Sequence, residues 1–281
     1  MAGSNRSRVS ITDLTVVYPT LLAFALIGVF PFIWAFLTSI KLPADAFAMP
    51  PVMIFKPTFS SYSRLFQDAH FGEYFWNSLV VSFGVVVIST VVGCLAGYAL
   101  ARYSGWSSFF LLTCALILYA VPRTAILLPY YRLGQASGLY DTRTLLILVM
   151  VAVNQPLTIW IFESFFREIP VQLEQAAMVD GCNRFQAFVR VILPVMGPGI
   201  STTAIFSLLF AYNEFLLPVI LAGPEAATMP VLIANYAGSS DVGRWPQFAA
   251  TAVVVALPLV AIVVSCQKLI VRGLMAGAVK G

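Results

Sequence analysis

Six polar side chains interrupt long apolar segments of this sequence and could meet a polar solute there. They are Tyr119, Arg123, Asn154, Gln155, Asn213 and Glu214. Glu214 is the one acid well inside such a segment. A charge at mid-bilayer depth costs about 2.5–3.5 kcal/mol, so Glu214 should face other helices or water. Two roles stay open for Glu214 and Asn213: lining a transport pathway, or hydrogen bonding within the helix bundle. For the other four residues, helix packing is favoured over contact with a ligand.

No catalytic residue and no metal site is predicted. His70 is the single histidine, and Cys94, Cys114, Cys182 and Cys266 lie far apart in the sequence. Metal and redox motifs need closely spaced ligands, so the cysteines are interpreted as apolar filler. The sequence has no G-x-x-x-x-G-K-[ST] motif, and we therefore expect this chain to bind no ATP and no other cofactor.

The composition indicates an integral membrane protein. The chain has 281 residues and a mean hydropathy of +0.90, and 10% of its residues are charged, against about 25% in soluble domains. Six stretches without a charged residue are each 19 residues or longer, and a membrane helix needs about 20. They are 14–40, 74–101, 103–122, 144–162, 191–213 and 245–267. A soluble six-helix bundle is a remote alternative.

These stretches predict an all-α chain that forms a single transmembrane domain, because a helix satisfies its own backbone hydrogen bonds in lipid. The predicted spans are 14–38, 76–100, 106–128, 144–166, 195–221 and 247–270. The first span is too long for a signal peptide, and no small-residue cleavage site follows it, so it is expected to be retained. The motif Gly93-x-x-x-Gly97 in the second span indicates close helix packing and no more.

The distribution of basic residues favours both termini on the cytoplasmic side. This orientation leaves nine basic residues inside, namely Arg6, Arg8, Arg102, Arg167, Arg184, Arg190, Lys268, Arg272 and Lys280. Six lie outside, namely Lys41, Lys56, Arg64, Arg132, Arg143 and Arg244. The outer connections are then 39–75, 129–143 and 222–246, the first with a proline-rich piece before a short amphipathic helix. The net charge of +4 needs no nucleic acid partner.

The one large cytoplasmic loop, 167–194, contains a polar segment, EQAAMVDGCNRFQAFVRVILP. Pro170 can sit in the first turn of a helix, Gly181 can end that helix in a left-handed conformation, and Asn183 can cap a second helix. Apolar side chains share faces of these helices: Leu173, Ala176 and Ala177 on the first, and Phe185, Phe188, Val189 and Ile192 on the second. A helix–Gly–helix bend that fits a partner's groove is predicted. A helix lying on lipid is the weaker alternative, because few basic residues flank the stripe.

This segment resembles the EAA loop of ABC-importer permeases. The family pattern is E-A-A, three residues, Gly, nine residues and I-x-L-P. Here Gln175, Ala176 and Ala177 are followed at that spacing by Gly181 and by V-I-L-P ending at Pro194. Gln175 replaces the usual Glu and Val191 the usual Ile, so an ion pair made from position 175 in relatives is in doubt. The preceding acid, which carbohydrate-type members commonly have, is kept.

Four further segments resemble permeases of the carbohydrate-uptake class in the same order along the chain. They are PPVMIFKPTFSSYSRLF with YFWNSL, GLYDT at 138–142, AYNEFLLP at 211–218, and GLMAGAVKG at 273–281. The resemblance implies the smaller, maltose-type chain of two paired permeases, with a type I importer fold in the bacterial cell membrane. It also implies that the paired permease often makes most of the sugar contacts.

The resemblance further implies how the chain is driven. The loop would be a coupling helix seated on a cytoplasmic ATPase dimer, which would use ATP and Mg. The implied coupling residues are Glu174, Gln175, Ala176, Ala177, Asp180, Gly181, Phe185, Phe188 and Pro194. The tail 271–281, with Gly277 and Lys280, would also reach the ATPase. The other implied partners are a homologous permease chain and an extracellular or periplasmic sugar-binding protein, together with the lipid bilayer.

The sequence leaves one alternative function open and argues against two others. An ABC permease for a non-sugar solute stays open. An ion-coupled secondary transporter would use buried carboxylates or broken, repeated helices, and a single intramembrane acid argues against it. A membrane-embedded enzyme would need a catalytic set within the spans, and the only histidine is predicted to lie outside them.

Overall fold

The computed structural model describes residues 13–68, 70–103, 105–238 and 242–278, with side chains described except at 13, 14, 242 and 268–278. Within these ranges every regular element is helical, which confirms the predicted all-α class. The α-helices are α1 Tyr18–Ser39, α2 Pro43–Ala46, α3 Ser60–Gln67, α4 Phe71–Arg102, α5 Trp106–Ala120, α6 Arg123–Ala136, α7 Arg143–Glu168, α8 Val171–Val179, α9 Arg184–Ala187, α10 Leu193–Val195, α11 Gly197–Asn213, α12 Leu216–Leu221, α13 Met229–Ala237 and α14 Trp245–Ala278. Short π-helical turns cover Asp13–Val17 and Phe188–Ile192, and a 3-10 turn covers Val242–Arg244.

In the described part of the chain, four helices are long and apolar enough to cross a bilayer on their own. They are Thr15–Ser39, Phe71–Arg102, Arg143–Glu168 and Trp245–Gln267. Two bent helix pairs bring the number to six if each pair forms one span. The pairs are Trp106–Ala120 with Arg123–Ala136, bent by 92°, and Arg184–Val195 with Gly197–Asn213, bent by 75°.

The first bend divides the predicted span 106–128. Val121 and Pro122 are both extended between α5 and α6. A residue before proline is pushed out of the α-region by the proline ring, and proline has no N–H to continue the helix. The chain then turns into α6, which runs to Ala136 and so replaces the first half of the connection predicted at 129–143.

The predicted span 195–221 is also interrupted. The helix that leaves the loop ends at Val195, α11 begins at Gly197, and α11 ends at Asn213. Glu214 is extended there, with ψ of 123°, before α12 begins at Leu216. The acid that the sequence places in mid-span therefore lies at a break between two helices.

The chain divides into two compact units. The first comprises residues up to 67 together with 236–254. Within it the outer segment folds back on the end of α1: Thr58 N donates to Ile40 O at 2.8 Å, and Ser39 Oγ lies 2.8 Å from Tyr62 Oη. Lys41 Nζ lies 5.2 Å from the ring centre of Trp34. The predicted short helix after the proline-rich piece is α3.

The second unit comprises residues 68–235 and those from 255 onward, and it is built around α4, α7 and α11. Gly93 and Gly97 let α4 approach α7 closely. A Cβ on Gly97 would lie 2.6 Å from Phe162 Cβ and 2.9 Å from the backbone N of Glu163. The packing role predicted for the Gly93-x-x-x-Gly97 motif is therefore confirmed. Buried apolar residues of this unit form two clusters, one that includes Leu146 and Leu217 and one that includes Phe162 and Ile192.

Candidate functional site

The first helix of the 167–194 loop, α8, ends in a Schellman motif at Gly181. Gly181 N donates to Met178 O at 3.1 Å, and Cys182 N donates to Ala177 O at 3.0 Å. Gly181 has φ of +91°, and a Cβ there would meet nothing within 4 Å. The glycine is needed for its backbone conformation and not for space, as the sequence predicted.

The second loop helix begins with a capping box. Gln186 N donates to Asn183 Oδ1 at 2.8 Å, and Asn183 N donates to Gln186 Oε1 at 3.0 Å. The sequence predicted the Asn183 cap and missed the reciprocal role of Gln186, although the spacing of three residues signals it. The helix continues through the π-helical turn to Val195, and Pro194 is exposed near its end.

Glu174 is the polar anchor of α8. Its side chain is 10% exposed, and Arg102 Nε donates to Glu174 Oε2 at 2.9 Å. The hydroxyl of Tyr98 donates to Glu174 Oε1. Both carboxylate oxygens are therefore satisfied by side chains of α4, which lie more than 70 residues away in the sequence. Glu174 and Ala177 are the buried residues of α8.

The structure divides the predicted apolar stripe of the second loop helix. Phe188 and Ile192 are buried in the chain's own core with Phe166, whereas Phe185 is 71% exposed. The Phe188 ring centre lies 4.6 Å from that of Tyr98. The sequence predicted Phe185 and Phe188 on one apolar face for a partner's groove; this is wrong for Phe188, because the aromatic side chains of α4 and α7 cover it.

Several side chains near the Gly181 bend remain exposed on the loop. Gln175, Ala176, Val179, Asp180 and Phe185 are all exposed, and Val179 is 87% exposed. They come from the end of α8 and the start of the second helix, on either side of Gly181. Apolar side chains this exposed next to a rigid bend are typical of a surface that binds a partner.

The candidate pathway residues fall into two groups. Arg123 pairs with Glu214, whose Oε1 also accepts Leu216 N at 3.0 Å and Leu217 N at 3.3 Å. Glu214 is buried, and it satisfies the free amides at the start of α12. Arg123 is partly exposed, and its guanidinium lies 5.0 Å from the ring centre of Phe210.

The other candidates lie elsewhere. Asn154 is buried and bridges α7 to α11, since its Nδ2 donates to Thr158 Oγ1 at 3.0 Å and to Ser207 Oγ at 2.9 Å. Gln155 is half-buried and donates to Ser89 O at 3.4 Å. These contacts favour helix packing for both residues, as the sequence suggested. Tyr119 is half-buried in the last turn of α5.

Asn213 and the tail complete the predicted set. Asn213 is exposed and donates to Leu209 O, one turn earlier in its own helix, at 2.9 Å. The backbone of Gly277 lies in α14, which continues to Ala278. Lys280 lies outside the described residues, so its predicted contact with an ATPase stays a prediction.

A polar cluster that the sequence did not indicate joins two predicted outer connections to the start of the second predicted span. Asp141, with φ of +57°, accepts backbone N–H groups from Gly223 at 2.7 Å and Ala226 at 2.9 Å. Asn77 donates to Glu225 O at 2.8 Å and accepts from Arg143 Nε at 2.6 Å. The GLYDT and YFWNSL segments therefore hold the connection after α12 in a fixed conformation. No local pattern in the sequence links such distant residues.

Comparison with known proteins identifies the family. Residues 89–275 match the model of the binding-protein-dependent transport system inner membrane component. The chain belongs to this family. Its membership makes the chain a multi-pass membrane component of a transport system, as the EAA-loop resemblance implied.

Family relatives span nearly the whole chain. A Mycobacterium tuberculosis protein described as the trehalose transport system permease protein SugB is 37% identical over 253 residues, covering 89% of this chain and 92% of SugB. A Sinorhizobium fredii protein described as the probable ABC transporter permease protein y4oR is 35% identical over 277 residues, covering 99% of each chain.

A solved structure confirms the predicted permease fold. The crystal structure of a bacterial ABC transporter involved in the import of alginate contains a chain that matches 92% of this one, and 98% of that chain is covered. The TM-score is 0.74 at 23% sequence identity. This chain therefore has the type I permease architecture, with the helix–Gly–helix loop between α7 and α11.

Proposed function

We propose that this chain is the permease subunit of an ATP-driven importer of a mono- or oligosaccharide. The observation that carries the proposal is the loop 167–194, in which a Schellman bend at Gly181 separates a buried anchor, Glu174, from an exposed patch around Phe185. Membership of a binding-protein-dependent transport family supports the importer, and the relative described as a trehalose permease supports a sugar.

The exposed patch on the loop would bind a cytoplasmic ATPase. Gln175, Val179 and Phe185 offer polar and apolar contact on one rigid bend, and ATP with Mg would be bound by the partner. Closure of the ATPase dimer would move the loop and switch the spans from inward-facing to outward-facing. A loop transmits such a movement only if it is stiff, and the two capped helices supply that stiffness.

A second, homologous permease would complete the pathway. Helix α1 leaves nearly all of its apolar side chains exposed. A second apolar surface is a groove of about 770 Å³ between α4, α11 and α14, with Trp76, Phe83, Leu208 and Leu259 among its walls. Surfaces of this kind are covered by lipid or by another apolar helix, and a permease partner would cover part of both.

The Arg123–Glu214 pair is the candidate for contact with solute on this chain. Arg123 and Asn213 are accessible, and sugar hydroxyls need both donors and acceptors. Asn154 and Gln155 would instead hold α7 against α11 and α4. The paired permease would supply further contacts.

The braced outer connections are suited to a solute-binding protein. Asp141 and Asn77 hold residues 223–227 through backbone hydrogen bonds, so a docking partner would meet a preformed surface.

Both termini would be cytoplasmic in the bacterial cell membrane, in line with the bias of basic residues.

The test is transport by the purified complex. The chain is co-expressed with a candidate ATPase, second permease and binding protein from the same genome, and the complex is reconstituted into proteoliposomes with internal ATP. We expect saturable uptake of one member of a saccharide panel that includes trehalose, and no uptake with a non-hydrolysable ATP analogue. ATP-independent uptake driven by an ion gradient would contradict the importer, and ATP-driven uptake of an amino acid or phosphate alone would contradict the sugar.

A further inference from the structure

Arg102, the last residue of α4, joins three separate parts of the second unit. Its Nε donates to Glu174 Oε2 at 2.9 Å, its Nη1 to Phe166 O at 3.0 Å and its Nη2 to Ile169 O at 3.3 Å. Phe166 lies in the last turn of α7, and Ile169 caps it. One planar guanidinium therefore holds the ends of two membrane helices and the first helix of the loop.

The acceptor side of this contact is equally constrained. Glu174 is buried, its second oxygen accepts the Tyr98 hydroxyl, and the Tyr98 ring contacts Phe166 and Phe188 at centre distances of 5.4 and 4.6 Å. The Arg102 side chain is only 15% exposed. Charged groups withdrawn from water hold their geometry strongly, because a displaced partner leaves an uncompensated charge.

The anchoring of the two loop helices differs. The second helix is held by Phe188, Ile192 and Met196 in the apolar cluster. In α8 the buried residues are Glu174 and Ala177, and Ala177 contributes only a methyl group. Removal of the ion pair would therefore loosen α8 and the exposed side chains at its end, while the second helix stays in place.

We propose that Arg102, Glu174 and Tyr98 are positioning residues that carry movement of the loop directly into α4 and α7. The inference rests on the proposed function, since it concerns the step between ATP hydrolysis and the change in the spans. The helices α7 and α8 are joined only through the extended residues Ile169 and Pro170, so no continuous helix fixes the angle between them. The guanidinium fork restrains that angle, because it bonds Glu174 and the end of α7 at the same time.

The experiment compares four single variants in the reconstituted complex: Arg102→Gln, Arg102→Lys, Glu174→Ala and Glu174→Gln. Solute uptake and ATP hydrolysis are measured in parallel. We expect Arg102→Gln and Glu174→Ala to lower the amount of solute moved per ATP at least tenfold while ATP hydrolysis persists. Glu174→Gln keeps an acceptor for Tyr98, and Arg102→Lys keeps the charge without the fork, so both should lose less.

The matched control is Arg167→Gln. Arg167 pairs with the buried Glu163 one turn away in the same helix. This change therefore also breaks a carboxylate–arginine pair, but that pair joins no second helix. It should leave solute moved per ATP unchanged. An unchanged ratio in Arg102→Gln or Glu174→Ala would overturn the proposal, as would an equal loss in Arg167→Gln. If Glu174→Ala does not assemble, the two conservative variants decide, and wild-type ratios in both would overturn it.

A distance measurement separates this inference from the proposed function, because it needs no substrate. Nitroxide labels are placed at Val179 and Tyr103, both exposed, in a complex whose native cysteines are replaced by serine. We expect a narrow distance distribution that broadens in Arg102→Gln and Glu174→Ala and stays narrow in Arg167→Gln. A narrow distribution in all variants would overturn the proposal even if the transporter carries a sugar. If the distribution broadens in these variants but the complex shows no ATP-driven uptake, the positioning role of Arg102 and Glu174 is supported and the proposed function is contradicted.

Discussion

Arg123 pairs with Glu214, and each of the two residues lies at a point where a predicted span is interrupted. Arg123 begins α6 directly after the bend at Pro122, and Glu214 lies between α11 and α12. The carboxylate also accepts the first amides of α12. One buried acid thus stabilises two irregular places in the chain.

Glu214→Ala should destabilise the protein by on the order of 2 kcal/mol, because it leaves both the Arg123 guanidinium and the amides of Leu216 and Leu217 without their acceptor. The measurement is the thermal unfolding midpoint in detergent. Asn213→Ala is the control, since Asn213 bonds only its own helix, and it should leave the midpoint nearly unchanged. Equal midpoints for both variants would contradict the role assigned to Glu214.

Gly97→Ala should be more damaging than Gly93→Ala. A Cβ at Gly97 meets backbone atoms of α7, whereas at Gly93 the nearest atom is the Thr158 methyl at 2.5 Å, which belongs to a side chain. Backbone cannot move aside cheaply, so we expect a loss of about 1–3 kcal/mol for Gly97→Ala and less for Gly93→Ala. The yield of folded protein after size exclusion measures both. In the control Gly72→Ala the added Cβ meets nothing within 4 Å, so the yield should not change. A lower yield for Gly93→Ala than for Gly97→Ala would refute the packing argument.

The sequence predicted the helices better than their breaks. Uncharged runs near the length of a bilayer crossing identify spanning helices because lipid allows few other structures. Proline did not identify the bends: Pro31, Pro156 and Pro258 lie inside unbroken helices, whereas Pro122 ends one. Neighbouring helices in a bundle decide whether a missing N–H is tolerated, and that information is not local.

The candidate site shows the same division. Gly181 and Asn183 have conformations that depend on their own residue types, and the sequence predicted both. Whether Phe185 or Phe188 faces outward depends on Tyr98, which is distant in the chain. The Arg102–Glu174 pair was likewise invisible, although Arg102 was predicted on the same side of the membrane as the loop, which is the one signal that could have suggested it.

Asp141→Ala should release the connection after α12. The change removes the acceptor of the Gly223, Glu225 and Ala226 amides, and it places alanine at φ of +57°, which costs about 1–2 kcal/mol. Hydrogen exchange at residues 223–226 should accelerate at least tenfold. Asparagine tolerates the left-handed conformation and keeps one acceptor oxygen, so hydrogen exchange in Asp141→Asn should be slower than in Asp141→Ala. Unchanged protection in the alanine variant would show that other contacts hold the connection.

Gly181→Val should leave membrane insertion intact, abolish uptake and reduce co-purification of the ATPase. The site has open space, so the cost is conformational: about 1–2 kcal/mol for any side chain in the left-handed region, and more for a β-branched one. Gly181→Ala should be milder, and Gly181→Asn milder still, because asparagine visits that region readily. Gln175→Glu, which restores the residue usual in the EAA pattern, should be tolerated. Uptake is compared at matched membrane levels, and normal uptake by the valine variant would make the bend incidental.

Site-specific photocrosslinking shows whether the exposed face of the 167–194 loop binds an ATPase subunit, as proposed. A photoreactive phenylalanine analogue is introduced at position 185 or 188 in the complex in native membranes, and adducts are identified by mass spectrometry. Phe185 is 71% exposed and Phe188 6% exposed, so the two positions differ in accessibility within one helix. We expect an ATPase adduct from position 185 and none from position 188. Absence of an ATPase adduct at 185, in a complex that still transports its solute, would contradict the proposed binding.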